Sequence, residues 1–221
     1  MPREIRITPS ILNANFDDLA GEIQKIAAVS DLVHLDVMDN VFVPNFTFDF
    51  SAAKKVIESS ALPVDAHLMV MNADVVGPEY AQAGCHSVTI HVEATDDLRS
   101  TLSAIRRYGS RSGLAVKPNT PITEYSDYSD LVDMFLIMTV EPGFGGQSFM
   151  DPMLEKIRQA RKIIGDRPIW LQVDGGISVE TIERATQAGA DTFVAGSAVF
   201  RAQDPAAMIT SLRILATKVT D

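Results

Sequence analysis

The chain has a single cysteine, a single tryptophan and no apolar run long enough to cross a bilayer. One cysteine excludes an internal disulfide framework and suits a reducing compartment. Cys85 lies in "AQAGCHSVTI", where it reads as a small buried residue and not as a nucleophile. The opening "MPREIRITPS" has no apolar core of a signal peptide, so a cytoplasmic location is expected. Cations are also scarce: 19 Lys and Arg stand against 29 Asp and Glu, for a net charge of −10. Nucleic acid and membrane surfaces are therefore not expected as partners, because both select clustered Lys and Arg. The one basic cluster, "RQARK" with Lys156 before it, alternates with apolar residues as an amphipathic helix would. No Ser/Gly-rich linker interrupts the chain, so residues 1–221 are expected to form one domain.

Short β-rich runs are present throughout, at 5–12, 31–38, 63–70, 86–93, 111–118, 133–140, 167–174 and 190–197. Helical patterns lie between them. "DDLAGEIQKIAAV" has Asp17 as a candidate N-cap, and "SVETIERATQAG" has Ser178 as N-cap and Gly189 as its stop. Strand starts recur every 20 to 35 residues, the length of one βα unit. Eight such units predict an α/β fold, a single-domain (β/α)8 TIM barrel. The competing open dinucleotide-binding sheet would show G-x-G-x-x-G after its first strand. Here that strand runs into "PSILNANF", which has no glycine.

Successive strand residues point to opposite faces, so residues two apart share one. In the second run His34, Asp36 and Met38 oppose Val33, Leu35 and Val37. The third sets Asp65, His67 and Met69 against Val64, Ala66 and Leu68. The fourth sets Thr89, His91 and Glu93 against aliphatics, and the seventh does the same with Trp170, Gln172 and Asp174. By the same parity Met138 faces inward from the sixth. The aliphatic sets must face the helices, which leaves the polar sets in the lumen. Barrel interiors are ordinarily packed with branched apolar residues, so polar groups there must be paired, ligated or used. His34, Asp36, His67 and Asp174 together have the composition of a metal site. Three of the chain's four histidines fall on these inward faces. His91 and Gln172 read equally well as satisfied interior hydrogen-bonders.

Glycine-rich turns follow the last three strands: "EPGFGGQSF", "DGGIS" and "AGSAVF". At the C-terminal rim of a barrel these loops lie side by side. Gly145, Gly146, Gly175, Gly176 and Gly196, with the N–H of Ser197, would let backbone approach a phosphate. An acidic chain could thus hold an anion without an arginine cluster.

These stretches closely resemble the ribulose-phosphate 3-epimerase family. The likeness runs through "PSIL.A.F" (9–16), "H.DVMD..FVPN.TF" (34–48), "HLMV" (67–70), "HVEAT" (91–95), "MTVEPGFGGQSF" (138–149), "VDGGI" (173–177) and "VAGSA.F" (194–200). The resemblance implies a metal-dependent barrel enzyme of the pentose phosphate pathway that interconverts D-ribulose 5-phosphate and D-xylulose 5-phosphate. It implies one divalent ion (Zn, Fe, Mn or Co) on His34, Asp36, His67 and Asp174, with Asp36 and Asp174 also the acid/base pair. It places substrate contacts on Ser10, His67, Met38, Met69 and Met138. Phosphate contacts fall on Gly145, Gly146, Gly176, Gly196 and Ser197, with Gly175 beside them. A small phosphosugar is the expected partner, and a homo-oligomer the expected assembly.

Epimerising a carbon beside a ketone requires a carboxylate on each face, and strands two and seven put Asp36 and Asp174 on facing walls. The chain departs from the family where Asn40, Asp49 and Asn119 replace common glycines. Two other enzymes remain as alternatives: an epimerase of a six-carbon ketose phosphate such as allulose 6-phosphate, and a Schiff-base aldolase using Lys117. A non-catalytic phosphosugar-binding module is a third.

Overall fold

The computed structural model describes residues 3 to 220. Residues 1, 2 and 221, the ends of the expected domain, lie outside the described residues. Eight parallel strands form one sheet: β1 (Arg6–Pro9), β2 (Val33–Met38), β3 (Val64–Met69), β4 (Ser87–His91), β5 (Arg111–Val116), β6 (Met134–Met138), β7 (Trp170–Asp174) and β8 (Thr192–Ala195). The sheet order is β1-β8-β7-β6-β5-β4-β3-β2, and a parallel bridge between Ser10 and His34 joins its two ends. The expected TIM barrel is therefore present, with each expected strand in its place but two to four residues shorter.

The helices around it are α1 (Leu19–Ile26), α2 (Phe50–Ser59), α3 (Ala73–Gln82), α4 (Leu98–Arg107), α5 (Met153–Ile164), α6 (Ile182–Ala188), α7 (Ser197–Phe200) and α8 (Pro205–Thr220). The regular β-then-α expectation fails once: between β5 and β6 the chain makes a 3-10 helix, Ile122–Tyr128. Pro118 and Pro121 delay its start, and "ITEYSDY" is poor in strong helix formers. Two cap assignments also shift. Asp18, not Asp17, caps α1 by accepting from the N–H of Gly21, because Asn15 has already capped a short 3-10 turn. Ser178 accepts from the N–H of Glu180 and so opens a turn, and α6 starts only after Thr181. Gly189 ends α6 at φ 120, as its position predicts.

Strand parity holds. Val33, Leu35, Val37, Val64, Ala66, Leu68, Leu171 and Val173 join one core between sheet and helices. Each fully buried Leu or Ile there contributes about 2 kcal/mol. The lumen holds the other set. Trp170 fills its N-terminal end, stacked between the guanidinium groups of Arg111 (3.8 Å) and Arg6 (4.2 Å). Helix α8 closes the ring from outside, where Arg213 donates to the carbonyls of Ile5 and Val29 and to Asp31.

The β2–α2 loop folds over the opposite end of the barrel. Asp39 accepts from the N–H groups of Val41, Phe42 and Met71 and so holds the turn after β2. Thr47 ties the returning chain to β2 by donating to the carbonyl of Asp36 at 2.7 Å. Asn40 turns the chain at φ 59, the only positive φ outside glycine among the described residues. Of the departures from glycine, Asn40 occupies the conformation that glycine adopts freely and asparagine tolerates. Asp49 caps α2 through Ala52, and Asn119 is exposed. Because the N–H of Asn40 donates to the carbonyl of Asn45 (2.8 Å), its backbone geometry sets the loop. Asn40→Ala is therefore expected to cost about 1 kcal/mol, and Asn40→Gly to leave stability unchanged or raise it. Urea denaturation of the three proteins checks this, and an Ala variant as stable as the Gly variant would contradict it.

Candidate active site

Four side chains meet where β2, β3 and β7 end. Registry places Asp36 beside His67 on neighbouring strands, and His34 one strand-turn below Asp36 on the same face. From across the lumen Asp174 arrives on β7. His67 Nδ1 is 3.1 Å from Asp36 Oδ1 and 3.5 Å from Asp174 Oδ2. His34 Nε2 is 3.4 Å and 3.9 Å from the same two oxygens. One donor atom from each residue lies within 4.8 Å of the others. Ligands held about 2.1 Å from one ion are about 3.4 Å apart in a tetrahedron, so the set fits a divalent metal. His34 Nε2 supplies a second indication, since it is buried and makes no hydrogen bond. An unsatisfied buried nitrogen is costly unless it has a ligand to hold.

The electrostatics follow from this packing. Burial opposes charge on His34, but the Asp36 and Asp65 carboxylates outweigh it and raise the imidazole well above its ordinary pKa. Burial likewise works against charge on Asp36, yet His34 and His67 hold it below the usual carboxylate range. The same balance raises His67 through Asp174 and Asp36. Asp36 is further fixed by Ser10 Oγ, which donates to Oδ2 at 2.5 Å.

One layer deeper lies a polar group that explains the remaining lumen residues. Asp65 is held below the carboxylate range mainly by His34 against the penalty of burial. Asp65 Oδ2 faces His34 Nδ1 at 2.8 Å, and it also accepts from Gln172 Nε2 (2.7 Å), while Oδ1 accepts from Ser87 (2.6 Å). An ionised carboxylate only accepts, so His34 carries a proton on Nδ1, and Nε2 is the nitrogen it offers to the cluster and to a metal. Gln172 and His91 are thus interior hydrogen-bonders. His67 Nε2 lies 2.9 Å from His91 Nε2, and Glu93 follows His91 in a 3-10 turn, two residues past the end of β4 and not on it.

Above the cluster a cavity opens at the C-terminal end of the barrel. Its wall includes Ser10, Asp36, Met38, Met69, Met138 and Asp174, together with Gly145, Gly146, Gly175, Gly176, Gly196 and Ser197. Every expected site residue lines this one space except His34 and His67, which lie fully buried beneath the aspartates. Gly176 is sterically required: a Cβ there (φ 67) would sit 2.3 Å from the backbone N of Phe149. On Gly145 or Gly196 it would meet Asn13 Oδ1 at 2.6 or 2.7 Å. Asn13 also lines the cavity, and sequence reasoning missed it because a single loop asparagine carries no periodic signal. The β2–α2 loop roofs the space, with Asn45 Nδ2 donating to the carbonyl of Gly143 at 2.8 Å. Lys117, the aldolase candidate, does not line the cavity; its ammonium sits 3.6 Å over the Phe42 ring. Cys85 is buried, and burial pushes its thiol up to about 12, which suits packing and not nucleophilic attack.

A parallel eight-stranded barrel with a metal-competent His/Asp cluster and a glycine-lined cavity at its C-terminal face has the layout of a barrel enzyme. Residues 6–200 match the family model described as "Ribulose-phosphate 3 epimerase family". The chain is 46% identical over 209 residues to the ribulose-phosphate 3-epimerase of Mycobacterium leprae (strain TN), covering 94% of this chain and 93% of that protein. It is 44% identical over 209 residues to ribulose-phosphate 3-epimerase 1 of Cupriavidus necator, covering 91% and 87%. In fold it is similar to the crystal structure of 3-hexulose-6-phosphate synthase from Salmonella typhimurium, with TM-score 0.73, 18% identity, and 97% and 100% of the two chains covered. The chain belongs to the ribulose-phosphate 3-epimerase family and is an enzyme of that family.

The imidazole of His91 offers a direct check on this interior. Burial penalises its charged form and lowers its pKa to about 4, against the pull of Glu93 in the other direction. The unfolded chain takes up this proton near pH 6.5. His91 therefore contributes stability above that value, and the contribution is lost as the pH falls toward 4. In an NMR titration the His91 ring is expected to stay uncharged through pH 5.5. A midpoint near 6.5 would show the ring is not buried as described.

Proposed function

We propose that the chain epimerises carbon 3 of a ketose phosphate, interconverting D-ribulose 5-phosphate and D-xylulose 5-phosphate, with Asp36 and Asp174 as the two acid/base groups. One observation carries the reading: two carboxylates reach a single cavity from β2 and β7, strands three apart around the ring, and both contact the same pair of imidazoles. The proton on a carbon next to a ketone is weakly acidic. Inverting that carbon means taking the proton from one face and returning another to the opposite face, so a single base does not suffice. At each turnover one aspartate starts ionised and the other protonated, and the reverse reaction exchanges their roles.

The remaining side chains serve this step. Ser10 orients Asp36 through its 2.5 Å hydrogen bond, which fixes where the carboxylate meets the substrate. Met38, Met69 and Met138, all buried on the cavity wall, present polarizable and apolar surface around the flat enediolate and keep water away from it. His34, Asp36, His67 and Asp174 would hold the divalent ion. When bound, that ion supplies Lewis-acid stabilisation of the negative charge that develops on the substrate's oxygens. Backbone N–H groups around Gly145, Gly146, Gly175, Gly176, Gly196 and Ser197 would take the phosphate, which lets an acidic chain bind a dianion.

With metal at saturation, Asp36→Asn and Asp174→Asn are each expected to lower kcat by about 10²- to 10⁴-fold. Each is also expected to suppress incorporation of solvent deuterium at carbon 3, which the unmodified enzyme should show at every turnover. Chelation should abolish both signals. An Asp174→Asn protein that epimerised at near the normal rate in heavy water would refute the two-base account.

A further inference from the structure

His34 and His67 meet the cluster through different nitrogens, and this difference has a chemical consequence. His34 points Nε2 inward and places Nδ1 directly on a carboxylate, Asp65. His67 points Nδ1 inward, 3.1 Å from Asp36 and 3.5 Å from Asp174, and its Nε2 faces another imidazole. Two ring nitrogens 2.9 Å apart hold one proton between them, so one donates and the other accepts. The direction is decided at the far end of the chain of contacts. His91 Nδ1 lies 3.2 Å from Glu93 Oε2, and a carboxylate can only accept. His91 therefore carries its proton on Nδ1 and has a bare Nε2. His67 must then donate from Nε2, which makes Nδ1, the atom that faces Asp36 and Asp174, the nitrogen available to a metal.

Glu93 is itself immobilised for this task. Its Oε1 accepts from the backbone N–H of Lys117 at 2.9 Å and from the Thr120 hydroxyl. Both of its oxygens are thus committed as acceptors. The Phe42 ring, 4.8 Å from the His91 ring, packs the imidazole in place. We propose that His91 and Glu93 are positioning residues for the metal: a two-member relay that fixes His67 in the tautomer able to ligate, as Asp65 does directly for His34. The proposal rests on the metal reading given above.

The test uses the full-length protein stripped of metal and titrated with zinc against a competing chelator. His91→Phe removes the acceptor for His67 Nε2, and Glu93→Ala removes the acceptor for His91 Nδ1. Each is expected to weaken zinc binding about 10- to 100-fold, the effect typical of losing a ligand's outer partner. In the unsubstituted zinc-loaded protein, 15N shifts should show protons on His67 Nε2 and His91 Nδ1. Variants that bind zinc as tightly as the parent, whatever their melting temperature, would overturn the relay and leave only a packing role. A proton found on His91 Nε2 would overturn it as well. If the parent itself binds no zinc, the metal reading fails and the relay falls with it, a result distinct from either of the others.

Discussion

Placing four ionisable side chains, His34, Asp36, His67 and Asp174, in the lumen of a barrel is the constraint on which the rest of the structure depends. Each buried charge costs several kcal/mol unless a partner of opposite sign and matching geometry stands beside it. Asp36, His34 and His67 are almost wholly excluded from solvent, and Asp174 is only partly exposed. They are tolerable together because imidazoles and carboxylates alternate in space. That alternation follows from sheet geometry: registry brings Asp36 beside His67, and the period of two sets His34 directly beneath Asp36. Shifting one strand by a residue would turn these groups toward the helices and put aliphatics in the lumen. The hydrophobic pattern that specifies the fold therefore also assembles the site.

A second layer follows from the same constraint. Two further carboxylates, Asp65 one hydrogen bond from the cluster and Glu93 two, complete what the first layer leaves unsatisfied, and each is itself held by neutral donors. The lumen is thus graded along its axis. The N-terminal end carries Trp170 with the guanidinium groups of Arg6 and Arg111 against its ring. The middle carries the hydrogen-bonded layer of Asp65, Ser87 and Gln172. The C-terminal end opens to a cavity that Asp36 and Asp174 line.

How much of this was legible in the sequence depends on whether the signal was periodic. The eight strands, their inward faces and the clustering of His34, Asp36, His67 and Asp174 all follow from alternation, which one sequence displays in full. The glycine turns were legible as well, because Gly176 occupies a space that admits no Cβ. What stayed hidden depends on contacts between distant segments. Asn13 matters because two glycines pack against it from loops more than 130 residues away. Glu93 reads as the last inward residue of a strand, yet the strand stops at His91 and the turn aims its carboxylate back at that histidine. Ser178 and Asp17 looked like helix caps because their types suit that role. A neighbouring turn captured each helix start first.

The roof over the cavity shows how a local backbone choice reaches the chemistry. Asn40 holds a left-handed turn that lets residues 41–45 double back, and the returning chain carries Val43 onto Met38 and Met69. Two residues further on, Asn45 hydrogen-bonds to Gly143 in the loop after β6, the same loop that presents Gly145 and Gly146 to the cavity. Phe42, between these points, packs on His91. A single eleven-residue loop therefore touches the methionine lining, the glycine-rich loop and the histidine that pairs with His67. Such a loop cannot open far without giving up contacts in all three places. Its position and the order of the site beneath it are for that reason coupled, and the turn at Asn40 is the hinge point from which the coupling is set.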